Sequence, residues 1–370
     1  MKRISFILIL SVLFYQNTFC QNVQYKFETY AGSKEGFADG NRKNALFFSP
    51  EGIAVDNQGN VYVTEYRTSI VRKIDTQGNV KVIGGQAMKT GYTDGKVEES
   101  LFDRPHGLAV DKNGTVYVCD MKNHLIRSIT KDGVVGTFAG VPHEKGVNNG
   151  YRTQVKFNQP EGIAINIRGE FFVADTYNFT IRKIDLQGNV TTFAGIPEKG
   201  GYQDGEGKNA LFDMPLGVAV DKNDDIFVAD ANYDGDKNGN NVIRKIDKEG
   251  NVSTFCGVPM QAGNKDGSSK EALFHRPVGI TAANDGFLYI TDTEGDVIRK
   301  IDSLGNVSTI GGQYLMEKSL NGIGKKAAFS DPQSIAVAPD GSIYIADTFN
   351  NRIVKGSLIV VKKKKRYVHH

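Results

Sequence analysis

Short apolar runs alternate along this chain with turn sequences rich in Gly, Asn and Asp. The segment that begins at Pro50 contains four such runs, GIAV, NVYVTE, SIVRKI and NVKVIGG, separated by turns such as DNQG and DTQG. Val, Ile, Tyr and Phe favour strands, whereas Asn, Asp and Gly tolerate the backbone angles of tight turns. The second run is apolar at nearly every position, which predicts a strand covered on both faces. The segment therefore predicts four short strands of a buried sheet.

This pattern repeats six times, and a proline marks the start of each unit. The spacings between successive prolines are 55, 55, 55, 62 and 55 residues, and the prolines are Pro50, Pro105, Pro160, Pro215, Pro277 and Pro332. A fixed period of this size indicates a repeat architecture. Six four-stranded antiparallel sheets, each buried on both faces, stack radially as the blades of a propeller. A sandwich fits less well, because its outer faces would be wet and its strands would alternate.

The unit stands most fully as PEGIAINIRGEFFVADTYNFTIRKIDLQGNVTTFAG, from Pro160 to Gly195, and it closely resembles the NHL repeat. The resemblance covers nearly all of the chain after the first residues, and it implies an all-β, six-bladed propeller. The last unit departs from the motif, because Val354 stands where the others have Arg and no fourth run follows. The stretch YKFETYAG, from Tyr25 to Gly32, matches the missing fourth strand. We therefore expect the N-terminal strand to close the ring and remove an exposed sheet edge.

The ends of the chain predict export. Residues 1–20 have a basic start at Lys2 and Arg3 and then an apolar run too short to span a bilayer, which is typical of a secretory signal. A lipid-anchored Cys20 is the alternative, which the large Phe19 before it disfavours. The expected organisation is a signal peptide over 1–20, a propeller over 21–361 and a basic tail over 362–370. We expect a protein that is secreted, periplasmic or on the cell surface.

Charge and cysteine usage narrow the class of protein. The formal charge is +3, and removing the two basic residues of the leader and the five of the tail leaves −4 on the body. A weakly acidic body argues against nucleic-acid binding. No later apolar run is long enough for a transmembrane span, and we expect a monomer. Cys119 and Cys256 fall in different parts of non-adjacent repeats, so we expect both to be unpaired.

Topology predicts which face carries function. In a four-stranded antiparallel blade, the inner strand begins on the face to which the loop between strands two and three returns. The residue after each proline begins an inner strand at the channel mouth, and these residues are Glu51, His106, Glu161, Leu216, Val278 and Gln333. Glu51, His106 and Glu161 are candidates to hold a divalent metal or a polar ligand, with Gln333 beside them and Leu216 and Val278 as an apolar far side. The alternative is that they simply line a water-filled mouth.

Two other sets of residues recur in the repeat and could be functional, but a structural role is expected for both. The second strands end in carboxylates, namely Glu65, Asp120, Asp175, Asp230, Asp292 and Asp347. In four regular units an Arg follows seven residues later, as Arg72 follows Glu65, so we expect structural ion pairs across the hairpin. We expect the loops that end in DG or NG, such as GYTDG, on the same face as the channel mouth. Their aromatic residues Phe37, Tyr92 and Tyr202 could stack on a sugar, but we expect them to pin their own loops.

Enzyme signatures are scarce. The sequence contains no GxSxG, HExxH or CxxC. Some NHL-like propellers are peptidyl-amidating lyases with several channel histidines around zinc, and only His106 occupies a comparable place here. Propellers of the gluconolactonase type hold calcium in the channel, an option that Glu51 and Glu161 keep open. We expect a binding scaffold for a protein, peptide or glycan; the alternative is a metal-dependent lyase or lactonase at the channel mouth.

One unit carries an insertion, DANYDGDKNGNN, from Asp230 to Asn241. It accounts for the long spacing of 62 residues and falls between strands two and three. Asp234, Asp236 and Asn238 match the first half of a calcium loop, to which Asn240 could add a backbone carbonyl. The match is incomplete, since position twelve is Lys245 instead of a bidentate Glu. The insertion predicts either a weak Ca²⁺ site, with no other cofactor expected, or an ordinary solvated loop.

Overall fold

Six antiparallel sheets surround a central channel in the computed structural model, which describes residues 23–231 and 239–361. From the channel outward, the strands of blade one are Pro50–Val55, Val61–Glu65, Ile70–Ile74 and Asn79–Gly84. Those of blade two are Pro105–Val110, Val116–Asp120, Leu125–Ile129 and Val134–Ala139. Those of blade three are Gly162–Ile165, Phe171–Asp175, Thr180–Ile184 and Asn189–Ala194. Those of blade four are Met214–Val220, Ile226–Ala231, Val242–Ile246 and Asn251–Cys256. Those of blade five are Pro277–Ala282, Leu288–Asp292, Val297–Ile301 and Val307–Gly312. Those of blade six are Pro332–Val337, Ile343–Asp347, Arg352–Val360 and Val23–Ala31. The predicted six-bladed, all-β propeller is confirmed.

The outer strand of blade six comes from the other end of the chain. Val23–Ala31 pairs antiparallel with Arg352–Val360, and Tyr25 lies opposite Leu358. Phe27 on this strand is fully buried and packs edge-on against Phe329. Blade six therefore has its four strands only because both ends of the described chain contribute to one sheet.

The linker before each blade runs along the outer edge of that blade. Gly40–Asn41 pairs with Asn79 and Val80 at the start of the outer strand of blade one. Equivalent two-residue strands border four other blades, at Gly95–Lys96, Gly150–Tyr151, Gly205–Glu206 and Gly322–Ile323. The expectation that the DG loops lie on the face of the channel mouth holds only for their first residues, because Asn123 on that face binds the Gly91 carbonyl whereas Gly95 pairs at the opposite end of the blade edge. A buried Arg72 holds the equivalent loop of blade one against the blade, with its guanidinium 2.6 Å from Asp39.

The blades pack against one another through aliphatic and aromatic side chains. A fully buried Phe from each linker lies between blades, and these residues are Phe47, Phe102, Phe157, Phe212, Phe274 and Phe329. The loop aromatics Phe37, Tyr92 and Tyr202 lie over Arg72, Arg127 and Arg244 with centroid distances of 5.3, 4.9 and 5.0 Å. The expectation that they pin their own loops is confirmed.

Glycine allows the inner strands to approach each other closely. A Cβ atom at Gly107 would lie 2.3 Å from the carbonyl oxygen of Glu161, and one at Gly162 would lie 2.2 Å from that of Leu216. Gly52, Gly217 and Gly279 occupy the same register, so five consecutive seams between blades depend on a missing side chain.

Two further expectations concern the whole chain. Cys119 and Cys256 are buried and unpaired, as predicted. Within residues 23–231 and 239–361, no helix has the length and apolarity that a membrane span requires.

Candidate functional site

The six inner strands enclose a channel cavity of about 250 Å³. His106, Glu161 and Gln333 line one end of it, where the inner strands begin. The last residues of the inner strands line the other end, and they are Val55, Val110, Ile165, Val220, Ala282 and Val337. The channel thus joins a polar mouth to an aliphatic interior.

The structure brings three predicted site residues together at the mouth, and we call Glu51, His106 and Glu161 the mouth cluster. His106 lies between the two acids, with its Nε2 3.7 Å from Glu51 Oε2 and 3.8 Å from Glu161 Oε2. These distances exceed those of hydrogen bonds. Among the described residues, neither carboxylate has a hydrogen-bond partner, although the side chain of Glu161 is only 7% exposed and that of Glu51 only 12%. The cluster is therefore largely buried, with His106 in ion-pair range of both acids but no hydrogen bond to either carboxylate.

Burial raises the pKa of both carboxyl groups. The pKa of Glu51 is raised well above its ordinary value, chiefly by desolvation and then by the negative charge of Asp331. The pKa of Glu161 is also raised by desolvation, and the charge of His106 opposes that shift. Perturbed carboxyl groups in a cleft are candidates for binding or acid–base chemistry. Among the described residues, no group of three or more His, Cys, Asp or Glu side chains has the arrangement of a preformed metal site.

Two mouth residues escaped the sequence analysis because they precede the proline instead of following it. Asp331 accepts a hydrogen bond from the Gln333 amide at 2.7 Å, so the predicted site residue Gln333 reaches the mouth with its amide already engaged. Arg276 acts electrostatically on Glu51, Glu161 and Asp331, and its buried Nε has no hydrogen-bond partner among the described residues. Both residues have positive φ, 55° at Arg276 and 51° at Asp331. Their sequence signal is their place immediately before the repeated proline.

The apolar side of the mouth differs from the expectation. Leu216 and Val278 are 2% and 3% exposed, because they pack with Met214 and Ala231 and against Tyr177 and Phe179. The side is apolar as predicted, but its surface is covered by the protein's own side chains. It therefore offers little free area to an amphipathic ligand.

Comparison with known proteins identifies the repeat. A family model described as NHL repeat matches residues 102–127, 157–184, 212–235 and 329–355, which fall in four of the six blades. The chain is an NHL-repeat β-propeller. It is similar to Protein SUPPRESSOR OF QUENCHING 1, chloroplastic, of Arabidopsis thaliana, with 31% identity over 74% of this chain and 26% of that protein. It is also similar to NHL repeat-containing protein 2 of Bos taurus, with 28% identity over 76% of this chain and 42% of that protein. The chain spans less than half the length of either relative.

Solved structures share the propeller fold at low sequence identity. An auxiliary nutrient binding protein from Bacteroides thetaiotaomicron superposes with a TM-score of 0.67 and 15% identity, over 91% of this chain and 77% of that chain. Virginiamycin B lyase from Staphylococcus aureus superposes with a TM-score of 0.54 and 17% identity, over 91% of this chain and 100% of that chain. At this identity the likeness shows the fold alone.

The carboxylates at the ends of the second strands are structural in this NHL propeller. Asp175 is fully buried and binds Arg182 at 2.9 Å, and it also accepts hydrogen bonds from Asn178 and the backbone of Asn158. The same ion pair recurs in the other regular blades, as Glu65–Arg72, Asp120–Arg127, Asp230–Arg244 and Asp292–Arg299. The predicted pairing is confirmed.

Blade six of the NHL propeller keeps the ion pair by another route. Val354 occupies the register of the usual Arg, and Arg352 instead binds Asp347 at 2.6 Å from five residues away. Arg352 also donates to the hydroxyl of Thr29 on the N-terminal strand. The departure from the repeat is thus compensated within the same blade.

The insertion leaves blade four intact. Asp230 binds Arg244 at 2.9 Å although fourteen residues separate them. The Asn240 amide donates to Asp230 and to the carbonyl of Gly201, as Asn178 does to the corresponding groups of blade three. The carbonyl of Asn240 accepts a hydrogen bond from Met260. Of the predicted calcium ligands, Asp234, Asp236 and Asn238 lie outside the described residues.

Proposed function

We propose that the protein is exported and binds its ligand at the channel mouth, as a binding scaffold instead of an enzyme. The observation that supports this is the Glu161 carboxylate, which is buried, lacks a hydrogen-bond partner among the described residues and lines the channel. A largely buried carboxylate without a protein hydrogen-bond donor leaves its acceptors to water or to a ligand in the channel. A ligand that supplies a cation or hydrogen-bond donors would satisfy both acids of the mouth cluster.

The fold is compatible with this role. NHL propellers present loops over a rigid ring of blades, and binding residues commonly sit on such loops. The auxiliary nutrient binding protein has the same fold, and the leader at residues 1–20 would take this protein to the compartment where it meets extracellular ligands. A protein, peptide or glycan could provide the group that enters the mouth.

The test is a binding screen with matched variants. A triple variant with Glu51→Gln, His106→Asn and Glu161→Gln keeps the shape of the mouth but removes its charge. Glu249→Gln is the control, because Glu249 is exposed in a turn on the opposite face of the ring. Calorimetry should show a peptide or glycan ligand that binds the wild type and the control and is lost in the triple variant. A ligand that binds all three proteins equally would contradict the proposal.

A metal-dependent lyase or lactonase is the second candidate. The observation that favours it is His106 between two carboxylates, an arrangement that can transfer protons. Metal analysis of the purified protein and turnover assays with lactones test it. Metal bound in proportion to protein, with activity that His106→Ala removes, would favour the enzyme.

Calcium at the insertion is a separate proposal. Because the Asn240 side chain serves blade four, the site would depend on Asp234, Asp236 and Asn238. Calcium titration should raise the melting temperature of the wild type more than that of Asp234→Ala/Asp236→Ala. Equal curves for the two proteins would leave an ordinary loop.

A further inference from the structure

A cleft lies between blades four and five on the face of the ring opposite the mouth, and we call it the seam cleft. Its volume is about 390 Å³, and the rings of Phe227, Phe255 and Phe287 line it. Phe227 and Phe255 pack edge to face with their centroids 5.1 Å apart, and Phe255 and Phe287 are partly exposed. The volume lies within the range of small-molecule sites, and the mouth cluster takes no part in this cavity.

At two other seams between blades, an arginine of the protein itself covers the matching ring. Arg42 Cζ lies 4.4 Å from the ring centroid of Tyr30 on the outer strand of blade six, and both residues line a cavity of about 420 Å³. Arg152 Cζ lies 4.7 Å from the ring centroid of Phe138 on the outer strand of blade two. Arg42 also donates to the carbonyl oxygen of Tyr30 at 2.8 Å. This fold therefore stacks a guanidinium on an outer-strand ring twice.

The linker that leads into blade five has a serine at the position of those two arginines. The carbonyl of Ser269 accepts a hydrogen bond from Gly257 at 2.9 Å, as the carbonyl of Arg152 accepts one from Gly140 at 2.8 Å. Ser269 is too short to reach a ring, and within the described residues no cation lies over Phe255. The seam cleft thus has the aromatic half of this contact without the guanidinium.

No side chain crosses the seam cleft as one crosses the preceding seam. Between blades three and four, Arg168 binds Asp224 across the seam. At the seam cleft, Asn223 and Gly286 hold the corresponding turn positions. The Asn223 amide donates within its own turn, to Asp221, and a Cβ atom at Gly286 would meet nothing within 4 Å. The cleft therefore stays open to solvent.

The lining of the seam cleft is acidic. Its charged side chains are four aspartates and two lysines, namely Asp221, Asp225, Asp285, Asp302, Lys222 and Lys245. Lys245 binds Asp225 at 2.6 Å, whereas the other three aspartates have no ion pair among the described residues. Lys300 lies 3.5 Å from the ring centroid of Phe287, but it does not line the cavity. The cleft that lacks the arginine thus carries an excess of negative charge.

We propose that the seam cleft binds an arginine side chain of a partner peptide or protein, with the guanidinium stacked on Phe255 and its N–H groups directed to the carboxylates of the lining. A guanidinium is planar, stacks on aromatic rings and donates in a fork to carboxylates. An anion would meet the unpaired aspartates, and a neutral ligand would leave their charge uncompensated. The inference stands apart from the proposed function, because the seam cleft and the mouth cluster lie on opposite faces.

The experiment is an NMR titration of the full propeller with N-acetyl-arginine methylamide and its citrulline and lysine analogues. The arginine compound should bind at least about tenfold more tightly than the citrulline compound, which has nearly the same shape without the charge. The lysine compound should also bind more weakly, because an ammonium is not a planar fork. Asp285→Asn/Asp302→Asn should weaken binding of the arginine compound about tenfold. Glu249→Gln removes an acid from a turn on the same face outside the cleft and should not change it.

Two further variants test the stacking. Ser269→Arg places the protein's own guanidinium at the position that Arg42 holds at another seam, so it should abolish binding without lowering the melting temperature. Phe255→Leu keeps an apolar side chain but removes the ring, and it should weaken binding about two- to fivefold.

The alternatives give different results. If the arginine compound does not bind, or if the citrulline compound binds equally well, the inference is wrong. If the double aspartate variant and Ser269→Arg both bind the arginine compound as the wild type does, it binds elsewhere and the inference is wrong. If the triple mouth variant loses the arginine compound while the double aspartate variant keeps it, the inference is wrong but the proposed function stands. Binding that the triple mouth variant retains and Ser269→Arg loses would support the inference whether or not the mouth has a ligand.

Discussion

Blade three buries two carboxylates, Asp175 and Glu161, and the surroundings of the two differ. Asp175 at the end of the second strand has an Arg, an Asn and a backbone amide as partners. Glu161 at the start of the same blade is buried almost as completely, and its carboxylate has no hydrogen bond among the described residues. Removing one partner of a buried ion pair leaves an uncompensated charge, whereas Glu161 has no partner at hydrogen-bond distance to leave behind.

The largest loss in the free energy of unfolding should come from removing the N-terminal strand of blade six. Deletion of residues 23–32 removes the fully buried Phe27 and the Thr29 hydroxyl that accepts from Arg352. We expect a loss of more than about 5 kcal/mol in the free energy of unfolding, since truncating one buried Phe alone costs about 3–5 kcal/mol. Denaturant unfolding measures it, with Lys26→Ala/Glu28→Ala on the exposed side of the strand as control. An unchanged unfolding midpoint would show that another segment covers this edge.

A direct comparison of the two carboxylates is the second test. Asp175→Ala should cost about 3–5 kcal/mol, because it leaves the buried Arg182 without its charge partner. Glu161→Gln should change stability by less than about 1 kcal/mol or increase it, because no ion pair at hydrogen-bond distance is lost. Urea unfolding of both variants measures the difference. Equal losses would mean that Glu161 is also a structural group.

The third test concerns the sign of the pH dependence at the mouth. The folded pKa of Glu51 is raised by burial, so the native state holds the proton more tightly than the unfolded chain does. Its contribution to stability is therefore present at low pH and is lost as pH rises through the folded pKa. Glu51→Gln should gain stability relative to the wild type as pH rises from about 4.3, the ordinary glutamate value, to neutral pH. A flat difference across that range would contradict the raised pKa.

The smallest effect on stability is expected from a partly exposed ion pair, His275 and Glu294, beside blade five. His275 Nε2 lies 3.2 Å from Glu294 Oε2, which raises the pKa of His275 and lowers that of Glu294. The His contribution is lost as pH rises above about 6.5, and the Glu contribution is lost as pH falls below about 4.5. A double-mutant cycle with His275→Gln and Glu294→Gln should give about 0.2–1 kcal/mol near pH 5.5 and less near pH 9. A coupling that is larger at pH 9 would contradict the assignment.

Sequence spacing predicted the parts of this molecule that repeat. Six units, four strands in each and the seven-residue spacing of acid and Arg are periodic features, and the structure contains all of them. The position after each repeated proline also predicted that Glu51, His106 and Glu161 lie together, as they do in the structure. What it missed depends on local backbone geometry and packing. The positive φ before the proline does recur, at Ser49, Arg104, Gln159, Arg276 and Asp331, but the residue type there varies from unit to unit, and the burial of Leu216 depends on neighbours that do not repeat.

The glycines of the inner strands have a consequence for the mechanics of the ring. In five seams, a Cβ atom would meet the next blade at 2.7 Å or less. The sixth inner strand carries Ser334 in this register, and its hydroxyl oxygen accepts a hydrogen bond from Ile53 of blade one at 3.3 Å. The one seam that carries a side chain in this register is therefore tied by a side-chain hydrogen bond, and it is the seam where the two ends of the chain meet to complete the ring.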